Sequence, residues 1–103
     1  MKGRSPNAEE RKWLDRIVEL GCIVCRLHEG LYTPTEIHHI GGKTKPSAHL
    51  NAIPLCFFHH RGSEDTAAYV SRHPWKVRFE DRYGTEEYLL DRVKNLIDEQ
   101  ENA

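Results

Sequence analysis

Apolar positions fall into separate rhythms along the chain. Trp13, Leu14, Ile17 and Val18 recur at i, i+1, i+4 and i+5, the stripe of one helix face. Pro6 suits a first helical turn, Asn7 and Glu10 have capping-box spacing, and Gly21 is a stop signal, so the spacing predicts a helix over 6–20. Toward the other end, Trp75, Phe79 and Tyr83 repeat at i, i+4 and i+8 between Pro74 and Gly84. Leu89, Val93, Leu96 and Ile97 then form a second stripe behind Thr85, a candidate cap. The middle of the chain has a shorter beat. Thr35–Ile40 and Ala52–Leu55 are too brief for helices and read as strands, separated by a flexible loop at Gly41–Ser47. Residues 22–35 read as a tight knuckle and loop, and His59 to about Val70 as a helix.

Strands framed by helices predict an α+β chain, and 103 residues predict one domain over 1–103. Its parts are an N-terminal arm and helix over 1–20, a central unit over 22–72, and C-terminal helices over 74–103. At this length a single apolar core is only marginally sufficient, so a metal staple would help. No apolar run is long enough to span a bilayer, which argues against a membrane partner. The first six residues have no apolar stretch of a secretion signal. Three cysteines, two of them three apart, argue against a disulfide framework and for a reduced, cytoplasmic compartment. The formal net charge of −1 conceals a division. Residues 80–103 hold eight acids and three bases, −5; the other residues hold twelve bases and eight acids, +4. Such asymmetry fits a nucleic-acid partner on the basic portion.

Cys22 and Cys25 form a CxxC, and Cys56 with His59 a CxxH. Thiolate and imidazole are the preferred zinc ligands, and a structural zinc takes four of them in a tetrahedron. Two residues between ligands let one tight turn aim both side chains at one ion, so the two knuckles predict a structural Zn2+ on Cys22, Cys25, Cys56 and His59. Phe57 and Phe58, inside the second knuckle, are expected to pack beneath it. Seven histidines are present, more than a structural zinc module needs. His60 directly follows a ligand, and His38 and His39 form a second pair. Imidazole is both a metal ligand and a base near neutral pH, so paired histidines can divide those roles. His28 is expected to face solvent, and His49 to be structural.

The string Glu36-Ile-His-His-Ile40, the string Asn51-Ala-Ile-Pro-Leu-Cys56 and the pair His59-His60 together resemble an HNH nuclease. With Phe79–Gly84 added, the pattern is similar to the phage Ref family, recombination-enhancement nucleases that depend on RecA, over roughly residues 20–93. The resemblance implies a small ββα-metal (His-Me finger) core with a zinc knuckle pair and flanking helices. It implies a metal-dependent DNA endonuclease in a phage or prophage setting, with a RecA filament as partner and a 5′-phosphate product. His38 and His60 resemble ligands of the nuclease ion, Mg2+ or Mn2+, with imidazole also suiting Zn2+. His39 resembles the general base, and Asn51 the residue that braces the loop and orients it. The third ligand is His73 or Glu64, with His73 preferred. Lys43, Lys45, Arg61, Arg72, Lys76 and Arg78 flank the site as candidate DNA contacts. Because neighbours on a strand face opposite sides, the strand must end, bend or bulge for His38 and His39 to share one site. The alternative function is a non-catalytic zinc module that binds DNA or protein, which leaves His38, His39 and His60 without a task.

Overall fold

The computed structural model describes residues 5–42 and 48–102. The N-terminal sequence signals act as their chemistry dictates. α1 spans Ala8–Leu20, and the Asn7 side chain accepts from the Glu10 amide while the Glu10 side chain accepts from the Asn7 amide. Gly21 ends the helix at φ +81, where a Cβ would meet the Tyr32 ring at 2.7 Å. Only a glycine lets the chain turn so tightly there and deliver Cys22 directly after the helix. The buried edge of α1 runs through Ile17 and Leu20, whereas Val18 is 40% exposed.

Two of the expected elements differ. Residues 22–35 contain a helix, α2 (Ile23–Glu29), with Cys22 at its N-cap and Cys25 in its first turn. Two ligands three apart fit a helical turn as well as a loop, and Gly30, at φ +67, closes it. Conversely, the helix expected from His59 to Val70 is four residues, α3 (Phe57–His60). Gly62 and Ser63, the latter at φ +58, take the chain off the helix, and a small excursion returns through an Asp65–Val70 bridge.

β1 (Glu36–His39) and β2 (Ala52–Leu55) pair antiparallel, with Glu36 opposite Leu55 and His39 opposite Ala52. β2 is buried throughout and packs against α1, α2 and α5. α4 (Lys76–Tyr83) ends at Gly84, and α5 (Glu86–Glu101) is capped by the Thr85 side chain on the Tyr88 amide at 3.1 Å. Ile17, Leu20, Ile23, Val24, Ile53, Leu55, Phe79, Leu89, Val93 and Ile97 make one apolar core beneath the hairpin. Tyr83 joins it and accepts the Val70 amide through its hydroxyl, anchoring the excursion to α4. Among the described residues, no helix is long and apolar enough to cross a membrane.

Truncating the fully buried Phe79 to alanine is expected to cost about 3–5 kcal/mol. Val77→Ala, three-quarters exposed on the same helix, is expected to stay within about 0.5 kcal/mol. Urea unfolding of both variants in the metal-loaded state checks this.

Candidate metal centres and the histidine cleft

Cys22 and Cys25 come from the start of α2, and Cys56 and His59 from the start of α3; all four are buried. His59 Nδ1 lies 3.7 Å from Cys22 Sγ, 3.6 Å from Cys25 Sγ and 3.2 Å from Cys56 Sγ, and Cys25 Sγ lies 3.9 Å from Cys56 Sγ. A tetrahedron with zinc–sulfur bonds of about 2.3 Å and a zinc–nitrogen bond of about 2.1 Å has edges of about 3.6–3.8 Å. The cluster has that size. Electrostatics points the same way. A hydrogen bond to Cys56 and burial push the Cys22 thiol up, burial pushes Cys25 up, and the bond from Cys22 pulls Cys56 down. Three buried sulfurs cannot all ionise side by side without a cation, and a dication is what would allow it. The cluster can therefore hold a structural metal ion. Phe57 and Phe58 do not lie beneath it. They are 45% and 47% exposed, because the inward side of this short helix is taken by His59, and Tyr69 covers the His59 ring instead.

The peptide after His59 turns the opposite way. His60 joins His38 and His73 in a second group whose candidate ligand atoms lie within 4.8 Å of one another. The ring centroids are 5.2 Å (His38–His60), 5.2 Å (His38–His73) and 5.3 Å (His60–His73) apart. Backbone chemistry explains why His73 arrives there. A four-residue helix leaves its carbonyls without intrahelical partners. The Phe58 carbonyl accepts from Ser71 Oγ at 2.5 Å, that of His59 from the Arg72 amide at 2.8 Å, and that of His60 from the His73 amide at 2.9 Å. Residues 71–73 are thus laid along α3. Glu64, which would have needed a continued helix to share a face with His60, is not in this group.

The period-2 alternation of β1 puts Glu36 and His38 on the His60 side. His60 Nδ1 donates to Glu36 Oε1 at 2.9 Å, and Arg61 makes two bonds to the same carboxylate, at 2.8 and 2.7 Å. Arg61, and then His60, hold Glu36 down at about 2. On its other side His38 bonds through Nε2 to Glu86 Oε2, and Arg72 Nε lies 3.1 Å from that oxygen. Burial lowers the basicity of His60 and of His73, which favours the neutral imidazole that a cation requires.

β1 ends at His39, and the chain turns at once through Ile40–Gly42, with Gly41 and Gly42 at positive φ. His38 and His39 therefore both border one cleft of about 440 Å³, together with Ile37, His60, Arg72 and His73. His39 Nε2 lies 3.1 Å from His49 Nδ1. Asn51 closes the loop at its far end, its carbonyl accepting the Ile40 amide at 2.8 Å. Among the candidate DNA contacts, Arg61 is committed to Glu36, Lys76 Nζ lies 3.8 Å from Glu86, and Lys43 and Lys45 lie outside the described residues. His28 is exposed, with its ring edge against Tyr83. Sequence reasoning assigns no role to Glu36 or Glu86, and reads Arg72 only as one of several bases flanking the site. Glu36 has a signal, two residues before His38 on a strand. Glu86 is 48 positions beyond His38 and has none.

A small α+β chain sets a Cys3His cluster back to back with a three-histidine group, two sets of side chains that could each hold a metal ion. The chain matches, over residues 6–98, the family described as recombination enhancement, RecA-dependent nuclease. It belongs to that family, whose name assigns it a nuclease role in recombination and ties it to nucleic acid and RecA.

Cys56→Ala is expected to abolish tight metal binding at the first cluster and to destabilise the fold by several kcal/mol, since metal affinity there is folding free energy. Elemental analysis of the purified variant, with its thermal unfolding, checks both.

Proposed function

We propose that this chain is an HNH-class endonuclease hydrolysing DNA phosphodiesters, with the β1–β2 hairpin and α3 as its ββα-metal unit. The reading is carried by one observation, the opening of His38, His39, His60 and His73 onto a single cleft. Cys22, Cys25, Cys56 and His59 hold a structural Zn2+. His38, His60 and His73 would hold a second divalent ion, Mg2+ or Mn2+ in the cell, with Zn2+ also suited to imidazole ligands. When bound, that ion supplies charge stabilisation at the scissile phosphate.

The chain's own groups do the rest. His39, neutral, accepts a proton from the attacking water. Asn51 ties the loop to the end of β1, which fixes where His39 stands. Arg72 borders the cleft with its guanidinium beside the histidines and is the cation best placed for the phosphate. Lys43, Lys45, Arg61 and Lys76 contribute sequence-independent attraction to the backbone. The product carries a 5′-phosphate, and DNA within a RecA filament is the preferred substrate.

His39→Ala is expected to lower the cleavage rate about 10²- to 10⁴-fold with unchanged zinc content and fold. Cleavage of plasmid, and of strands paired in a RecA filament, in Mg2+ or Mn2+ is the measurement. Equal activity in parent and variant removes His39 as the base. Binding of DNA without cleavage by the parent, in any metal, supports the non-catalytic zinc module instead.

A further inference from the structure

Glu86 presents a problem that the fold itself does not answer. It is 2% exposed, and burying a carboxylate costs several kcal/mol unless it is paired. Its partners come from three separate segments: His38 on β1, Arg72 on the returning segment, and Lys76 on α4. Helix α5 does not need this carboxylate as a cap. Thr85 caps it, and Glu87 already supplies an exposed acid to the first turn. The Glu86 amide is satisfied as well, by Glu80 Oε2 at 2.9 Å. What the carboxylate does is take one ring N–H of His38.

Glu36 does the same to His60, through Nδ1 at 2.9 Å. An imidazole whose one nitrogen donates to a carboxylate has its tautomer fixed, and its other nitrogen keeps the lone pair. For His38 that is Nδ1, and for His60 it is Nε2. Neither carboxylate belongs to the converging group of His38, His60 and His73, so each acts from behind its ring. The two reach the centre from β1 and from α5, separate elements far apart in the sequence.

Resting on the nuclease reading above, we infer that Glu86 and Glu36 are positioning residues for the second ion, each orienting one ligand histidine, with Glu86 also fixing the cleft arginine Arg72. Loss of such a partner lowers metal affinity or activity by about 10- to 100-fold. The carboxylate of Glu86 thereby links the first turn of α5 to the cation that the cleft would hold.

The test is Co2+ and Mn2+ binding to the zinc-loaded protein, parent beside Glu86→Gln and Glu36→Gln, with DNA cleavage measured across a Mn2+ series. Each variant is expected to keep one zinc and to bind the second ion about tenfold or more weakly. Excess Mn2+ should recover much of the lost activity, a recovery that a merely structural defect would not show. Second-ion affinities within twofold of the parent in both variants overturn the inference while leaving the nuclease reading intact. A parent that binds one ion only and cuts nothing fails at the nuclease reading itself, and the inference falls with it. If Glu86→Gln does not retain its zinc, Glu36→Gln, whose site is partly solvent-exposed, decides the matter.

Discussion

The Cys3His cluster is the constraint on which the rest of the molecule hangs. It fastens the first turn of α2 to the first turn of α3, two segments with the whole hairpin between them. Once Cys56 and His59 are fixed, β2 is pinned at its end, because only Cys56 separates it from α3. His60 is then fixed too, as the next residue on the same short helix. Adjacent residues on a helix point about 100° apart, so one peptide step carries the chain from a closed, buried ligand set to an open, half-wet one. On the proposed nuclease reading, structural and chemical duties are divided between neighbouring residues rather than between domains.

The apolar core is modest, and its placement explains why so small a chain can hold three histidines together. β2 is buried throughout, and α1, α2 and α5 close around it. β1 is covered less, and its polar side faces α3. That side carries Glu36 and His38, so the hairpin serves as a partition, with hydrocarbon against one strand and imidazole against the other. The acids that look like a solvated tail in the sequence are not all solvated. Glu86 turns inward and takes part in the charge balance of the cleft, while Glu87, its neighbour, remains in water.

Local signals are legible in the sequence, and distant ones are not. The capping box at Asn7 and Glu10, the stop at Gly21 and the cap at Thr85 depend on residues three or four apart, and each acts as its spacing implies. Both strands lie where the short apolar runs place them, β1 starting one residue late and ending one early. The four cluster ligands are readable because metal spacing is itself a local code. α2 is hidden because a knuckle and a helical turn share the same ligand spacing. α3 reads too long because apolar residues beyond it, Tyr69 and Val70, serve the excursion rather than a helix face. Resemblance points to His73, but spacing alone does not, since its place depends on hydrogen bonds from Ser71, Arg72 and His73 to carbonyls thirteen residues earlier. Glu86 is invisible, because nothing along the chain marks which acid of an acidic helix will be the buried one.

The excursion between α3 and His73 leaves the helix at Arg61 and comes back to that same helix at Ser71, so its two ends are held close together by the Ser71 hydroxyl on the Phe58 carbonyl and by the Arg72 and His73 amides on the His59 and His60 carbonyls. Lengthening a stretch of that kind is cheap, since each doubling of a flexible loop costs only about 0.6 kcal/mol. The third histidine would keep its place while the exposed tip of the excursion grew, shrank or changed. The exposed tip at Thr66–Ala68, inside the Asp65–Val70 bridge, is therefore where this scaffold can accept new material, natural or grafted, close to its cleft.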